Sequence, residues 1–266
     1  MIINIFISIL FKMETSTTLN TLKTLKKLIY PCLSLTQNEF FDRLMQRIDD
    51  HFITLDKYST LNDIKNKNKS KGELFELICF NFIKLNVFKQ INCLNVWLFK
   101  DLPDNLRQEF GLSYKDMGID IIVQTVDNKW LAIQCKYRKK PTHKNTNGYP
   151  AKWKVNWKDL STFYSLCQRT GIKDIGWNKH IVITTAESVN RQGLKNDKDI
   201  SICLGTFRNI EKSKWLELIG DKGETLNGSS LNIDTKLNDK DTKLNDSPNI
   251  DELRSKRLKF LLGNSI

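Results

Sequence analysis

With 266 residues and 40% hydrophobic content, the chain is long enough for one core of enzyme size plus appendages. A formal charge of +12 and a pI near 9.3 favour an anionic partner. Six widely spaced cysteines (Cys32, Cys79, Cys93, Cys135, Cys167, Cys203), with no Cys-x-x-Cys pair and no His at ligand spacing, argue against a zinc site and read as reduced core residues.

Residues 2–11 form an apolar run that is too short to span a bilayer and lacks a basic leader and a small-residue cleavage site. The expectation is an intracellular, non-secreted protein without membrane attachment, and Met13, which opens a polar stretch, is the expected alternative start. Residues 17–66 read as a helical extension. Thr36-Gln-Asn-Glu39 has the capping-box pattern, and Phe40, Phe41, Leu44, Ile48 and Phe52 then recur at helical spacing. Residues 62–70, rich in Lys and Asn, read as a linker, so the first boundary falls at 66/67.

A helix is expected over residues 71–85. Ser70-Lys-Gly-Glu73 fits a second capping box and gives Glu73 a structural role at the helix start. Glu76 differs, because its helical neighbours Cys79, Phe80 and Ile83 put it on an apolar surface, where a carboxylate is costly unless it meets a cation or donors. A strand over 95–99 follows, and then a polar loop through Pro103 and Gly111 in which Lys115 and Asp116 read as solvated.

Residues 119–126 and 130–137 are two β-rich runs around Asp127-Asn128, whose short side chains tolerate positive φ, and they read as a hairpin. Asp120 enters the first strand between isoleucines, while Gln134 and Lys136 sit two apart on one face of the second. A two-residue loop would pair residues whose numbers sum to 255 and send Asp120 to the opposite face. A three-residue loop or one bulge shifts the sum to 254 or 256 and brings Asp120, Gln134 and Lys136 to a common face, and this register is the expected one. An acid, an amide oxygen and a lysine so grouped suit phosphodiester hydrolysis: the oxygens hold Mg²⁺ and the ammonium stabilises charge developing on the phosphate. The competing reading is the polar edge of an ordinary sheet.

Gly118-Ile119-Asp120 followed by Gln134-Cys135-Lys136, with Lys71-Gly72-Glu73-Leu74-Phe75-Glu76 upstream, resembles the restriction-endonuclease-like PD-(D/E)XK superfamily. The likeness is nearest to the Mrr-like branch, in which Gln often replaces the acid before the lysine. Asn95-Val96-Trp97-Leu98 and residues 157–163 further resemble the nuclease module found ahead of predicted helicases in large DNA viruses and bacterial restriction systems. The likeness runs from residue 70 to residue 215. It implies an α/β fold with a restriction-endonuclease-like αβββαβ core, a mixed sheet flanked by helices, over residues 67–220. It also implies a site in which Glu76, Asp120, Gln134 and the Cys135 carbonyl ligate metal. In that site Glu76, Asp120, Gln134 and Lys136 are the catalytic set, with Mg²⁺ as cofactor and Mn²⁺ as substitute.

Beyond Lys136 the chain turns strongly basic. Arg138, Lys139, Lys140, Lys152 and Lys154, interleaved with Tyr149, Trp153 and Trp157, are the candidates for DNA backbone contact; tryptophans docked into the core are the alternative. Lys144, Lys158 and His143 lie in or beside the same stretch. Asn156 is expected to cap a helix with Leu160, Phe163, Tyr164 and Cys167 on its apolar face, ending near Gly171. Strands over 180–185 and 200–204 and a helix over 213–219 complete the domain, with Thr184, Thr185 and Ser188 either touching DNA or capping a turn. Residues 221–249, where Thr-Lys-Leu-Asn-Asp occurs twice, read as a disordered linker, and 250–266 as a short C-terminal helix. No Gly-x-x-x-x-Gly-Lys phosphate loop is present, so no ATP hydrolysis is expected from this chain. The sequence therefore points to a metal-dependent DNA endonuclease. The alternative is a catalytically inactive DNA-binding module that targets a helicase or modification enzyme. DNA, a helicase or a restriction-modification subunit, and a second copy of the chain in a homodimer are the partners considered.

Overall fold

A computed structural model describes residues 16–53, 61–115, 118–141, 153–190 and 196–221, all within one compact unit. Three helices come first: α1 (Ser16–Ile29), α2 (Gln37–Ile53) and α3 (Leu61–Lys84). Then follow β1 (Cys93–Leu98), α4 (Asp104–Glu109), β2 (Ile121–Thr125), β3 (Trp130–Lys136) and β4 (Lys154–Val155). The rest of the domain is α5 (Ser161–Arg169), β5 (Lys179–Thr184), β6 (Ser188–Val189), β7 (Asp199–Ile202), α6 (Leu204–Arg208) and α7 (Lys212–Leu218). Among the described residues the main sheet has five strands in the order β1-β2-β3-β5-β7, and β4 pairs with β6 in a separate two-stranded ladder. β1, β2 and β3 are antiparallel, whereas β3, β5 and β7 run parallel, giving the mixed α/β sheet of the expected class.

The expected α2 face is realised. Phe40, Phe41, Leu44 and Ile48 are buried, and the Thr36 hydroxyl donates to the Glu39 carboxylate at 2.8 Å at the helix start. This face packs on the far end of the chain: Phe41 stacks on Phe207 at 5.1 Å, and Phe40 meets Trp215 at 5.6 Å. The helical layer and the sheet thus share one core.

α3 overturns the linker reading of residues 62–70. The helix begins at Leu61 and runs unbroken through that stretch, so it crosses the expected 66/67 boundary. A run of Lys and Asn suggests a loop, yet neither residue breaks a helix, and with the C-terminal half docked on the sheet the polar turns propagate from it. Ser70 is therefore mid-helix and not at a helix N-terminus. Glu73 faces solvent with Lys69 at 3.8 Å, one turn back, in place of the cap it was assigned.

The two faces of the sheet are covered differently. Phe75 of α3 meets Tyr137 edge-on at 6.0 Å, and the free Cys79 thiol lies beside that of Cys135, so α3 covers the face carrying the odd-numbered residues of β3. α5 covers the other, where Phe163 lies against His180, which in turn pairs across the ladder with Ala132. α5 follows a capping interaction in which the Asn156 amide donates to Asp159 at 3.0 Å, and it buries Phe163, Tyr164 and Cys167 as its pattern predicts. The linker and final helix expected beyond 221, and the N-terminal run 2–11, lie outside the described residues.

Candidate active site

The hairpin sets the site's register. Ile121 pairs with Ile133 and Val123 with Leu131, each pair summing to 254. The Thr125 amide closes on the Lys129 carbonyl at 2.9 Å, leaving a three-residue loop in which Asn128 adopts φ 57°. Of the two registers expected to bring Asp120, Gln134 and Lys136 to a common face, this is the one that would set Asp120 opposite Gln134. At the strand's first residues the ladder departs from it. The Asp120 amide donates to the Ile133 carbonyl at 2.9 Å, and the Asp120 carboxylate accepts from the Cys135 amide at 2.6 Å. Gly118, just upstream, has φ 113°, and a Cβ there would lie 3.2 Å from the Phe163 amide nitrogen, so only glycine lets the chain enter the strand so close to α5.

A cavity of about 830 Å³ opens at this end of the sheet. Glu76 comes to it from α3, Asp120 from the start of β2, and Cys135 and Lys136 from the end of β3. Glu76 and Asp120 both lie close enough to act electrostatically on the Cys79 and Cys135 thiols. Those thiols are pushed upward, first by burial and then by these carboxylates, so they stay protonated at neutral pH and supply no thiolate.

Gln134 is placed differently from its expected partners. It is buried on the α5 side and does not line the cavity; its amide nitrogen lies 3.4 Å from where a Gly118 Cβ would sit. Its Oε1 is buried without a hydrogen-bond partner among the described residues, a state that costs about 1–3 kcal/mol unless something else satisfies the oxygen. Among the described residues, no three His, Cys, Asp or Glu side chains are grouped to hold a metal ion. A cation here would rely on the Glu76 and Asp120 carboxylates with the Cys135 carbonyl as a neutral oxygen; Gln134, expected as a ligand, lies outside the cavity. Such an all-oxygen set fits a hard divalent cation.

The segment after β3 is fixed by the end of β5. The Thr184 hydroxyl donates to the Lys136 carbonyl at 2.7 Å, the Thr185 hydroxyl donates to the Arg138 carbonyl at 2.9 Å, and the Arg138 amide donates to Thr185 Oγ1 at 2.7 Å. Both threonines are fully buried, so they hold backbone and do not meet DNA. Trp153 is buried with its indole donating to the Arg138 carbonyl at 3.1 Å, and Trp157 stacks on Tyr164 at 4.8 Å; the docked-core reading holds for both. Of the five basic candidates, Arg138 and Lys139 line the cavity, Arg138 with Asp159 at 3.1 Å. Lys140 is exposed outside it, Lys154 pairs in β4 with Ser188, and Lys152, with His143, Lys144, Tyr149 and Asp116, falls outside the described residues.

Sequence reasoning missed the opposite wall. Lys69, Lys71 and Lys100 also line the cavity, giving six cationic side chains with Lys136, Arg138 and Lys139 against the three carboxylates Glu73, Glu76 and Asp120. An excess of cations around two inward carboxylates is what a polyanion with a metal bridge requires. Lys71 is partly neutralised by Asp49 of α2 at 2.9 Å. Lys71 already lies in the helix expected over residues 71–85, and helical continuation through 62–70 places Lys69 within two turns of Glu76.

Part of the chain matches a known family. Residues 87–216 match a family described as restriction endonuclease. This segment belongs to the Mrr-like restriction endonuclease family. The family domain holds Asp120, Gln134 and Lys136, while Glu76 and the whole of α3 lie ahead of the matched residues. Among solved structures, an ATP-dependent Type ISP restriction-modification enzyme, LlaBIII, bound to DNA is similar at 20% identity with a TM-score of 0.35; the match covers 57% of this chain and 8% of that one. Comparison with curated proteins gives no match.

Proposed function

We propose that this restriction endonuclease family protein is a Mg²⁺-dependent DNA endonuclease acting at the Glu76–Asp120–Lys136 cavity. The observation that supports this best is the convergence of those three side chains, from three different elements, in one cavity lined mostly by cations. Lys69, Lys100 and Lys139 would bind the phosphate backbone. Lys136 would face the scissile phosphate and stabilise the charge that develops on it. Asp120, oriented by the Cys135 amide at 2.6 Å, and Glu76 would hold the cation, with the Cys135 carbonyl as a neutral ligand. Bound Mg²⁺ would supply a polarised phosphate and a more acidic water, and Mn²⁺ would substitute. A helicase or modification subunit is the proposed partner, on the family likeness alone.

The test is nicking and linearisation of supercoiled plasmid with Mg²⁺, Mn²⁺ or EDTA. Asp120→Asn and Lys136→Ala should each lower the rate by several orders of magnitude, on the order of 10³ or more, while fluorescence-measured DNA affinity in EDTA stays close to the parent's. Glu76→Gln should act in the same way as Asp120→Asn. Tight binding by the parent without cutting on any DNA form would instead support the inactive DNA-binding module. The Gln134 amide, which lies outside the cavity where an acid would complete a third carboxylate, favours that second reading.

A further inference from the structure

One large aromatic side chain at the cavity serves no packing purpose. Tyr114 is 74% exposed and lines the cavity that holds Asp120 and Lys136. It is nevertheless held in place. The Arg107 guanidinium carbon lies 5.0 Å from the Tyr114 ring centre and 4.8 Å from that of Phe99, which makes a three-layer stack of Phe99, Arg107 and Tyr114. Arg107 is buried and anchored independently of Tyr114, donating to the Phe99 carbonyl at 2.8 Å and to the Ser113 carbonyl at 3.0 Å. The Asp104 carboxylate lies near enough to the Tyr114 hydroxyl to raise the phenol's pKa. Phe99 donates its backbone amide to the Asp120 carbonyl at 2.8 Å, so the stack is attached to the residue that carries the site's central carboxylate.

Burying Arg107 does not require a tyrosine above it, because backbone carbonyls already satisfy its Nη donors. A ring held at one face by the Arg107 guanidinium, with Lys100 next to Phe99 on the cavity wall, is a pre-organised surface for a flat partner with a phosphate attached. Bases inside an intact duplex present only their edges, whereas an unpaired base offers its whole face to an aromatic ring. We infer that Tyr114 is a stacking platform for an unpaired base of the DNA strand whose backbone enters the Asp120 cavity. The preferred substrate class is therefore DNA with a single-stranded step, such as a flap or gap, beside the scissile phosphate. The inference rests on the nuclease reading above.

The experiment measures binding in EDTA, so that it does not depend on cutting, with the full chain and three DNAs of one sequence: intact duplex, a flap and a gap. 2-Aminopurine replaces the first unpaired base, and anisotropy gives affinity. The parent protein should quench the probe in flap and gap. Tyr114→Ala should lose the quenching and bind flap and gap about tenfold more weakly, with duplex affinity changed less than twofold and an unaltered melting temperature. Tyr114→Trp should retain both readouts. Equal losses on duplex and flap, no loss on either, or a Tyr114→Trp protein as weak as Tyr114→Ala would overturn the inference and leave the nuclease proposal standing. A parent protein that binds none of the three DNAs would overturn both.

Discussion

The cavity is built from two regions of different standing. The strand domain supplies Asp120 and Lys136 and lies inside residues 87–216, which carry the restriction endonuclease family match. The helical layer, α1 to α3, lies ahead of that match and supplies Glu76, Lys69 and Lys71, with Asp49 behind Lys71. The strand side fixes its groups with backbone hydrogen bonds: the Cys135 amide on Asp120, and Thr184 and Thr185 on the carbonyls of Lys136 and Arg138. The helical side fixes its groups through side chains, with an ion pair and a bed of aromatic rings. Backbone bonds survive most substitutions, whereas a side-chain network fails with one, so the helical wall should be the more fragile part of the site.

The strongest way to break this comparison is to remove the helical layer up to residue 60. If it shares the core with the strand domain, the remaining chain should lose cooperative unfolding, because Phe207 and Trp215 are stripped of Phe40 and Phe41. A sharp thermal transition in the truncated protein would show instead that the strand domain folds alone. A finer probe is the Lys71–Asp49 pair, whose side chains are 12% and 11% exposed. Lys71→Met alone should destabilise by about 3 kcal/mol in urea unfolding, since it strands a buried carboxylate, and adding Asp49→Asn should recover most of that loss. If the double variant is no better than the single, the pair matters through its contacts with Tyr137 and α2, not through charge. The smallest effect is expected at Glu73, whose ion pair with Lys69 is exposed on both sides. Glu73→Ala should leave the unfolding midpoint unchanged within error, in contrast to the clear loss that a true helix cap would give.

The strand wall could be read from the sequence because its signals are local. An acid between isoleucines and a Gln-x-Lys two residues apart announce themselves in any strand, and the loop length limits the register to a few sums. Glu76 was also legible, since Cys79, Phe80 and Ile83 define its face. What the sequence hid depends on packing. Helical continuation through 62–70 is decided by the docking of residues 74–83, not by the Lys and Asn that fill the stretch. The turn of Asp120 towards the Cys135 amide is a local departure from the ladder that no periodicity encodes. Gln134 lies under α5 while Lys136, two residues on at the strand's end, reaches the cavity. Tyr114 sits in a polar loop with no pattern, and its setting depends on an arginine seven positions earlier on a six-residue helix.

The pairing of Phe40 and Phe41 with Phe207 and Trp215 also fixes an order in time. A ribosome releases the amphipathic face of α2 long before the segment that covers it. At about 5–20 residues per second, that face waits roughly ten to thirty seconds for α6 and α7. During synthesis the chain therefore carries an uncovered aromatic surface, of the kind that chaperones bind, and the cavity's helical wall is completed only when the last described helix arrives.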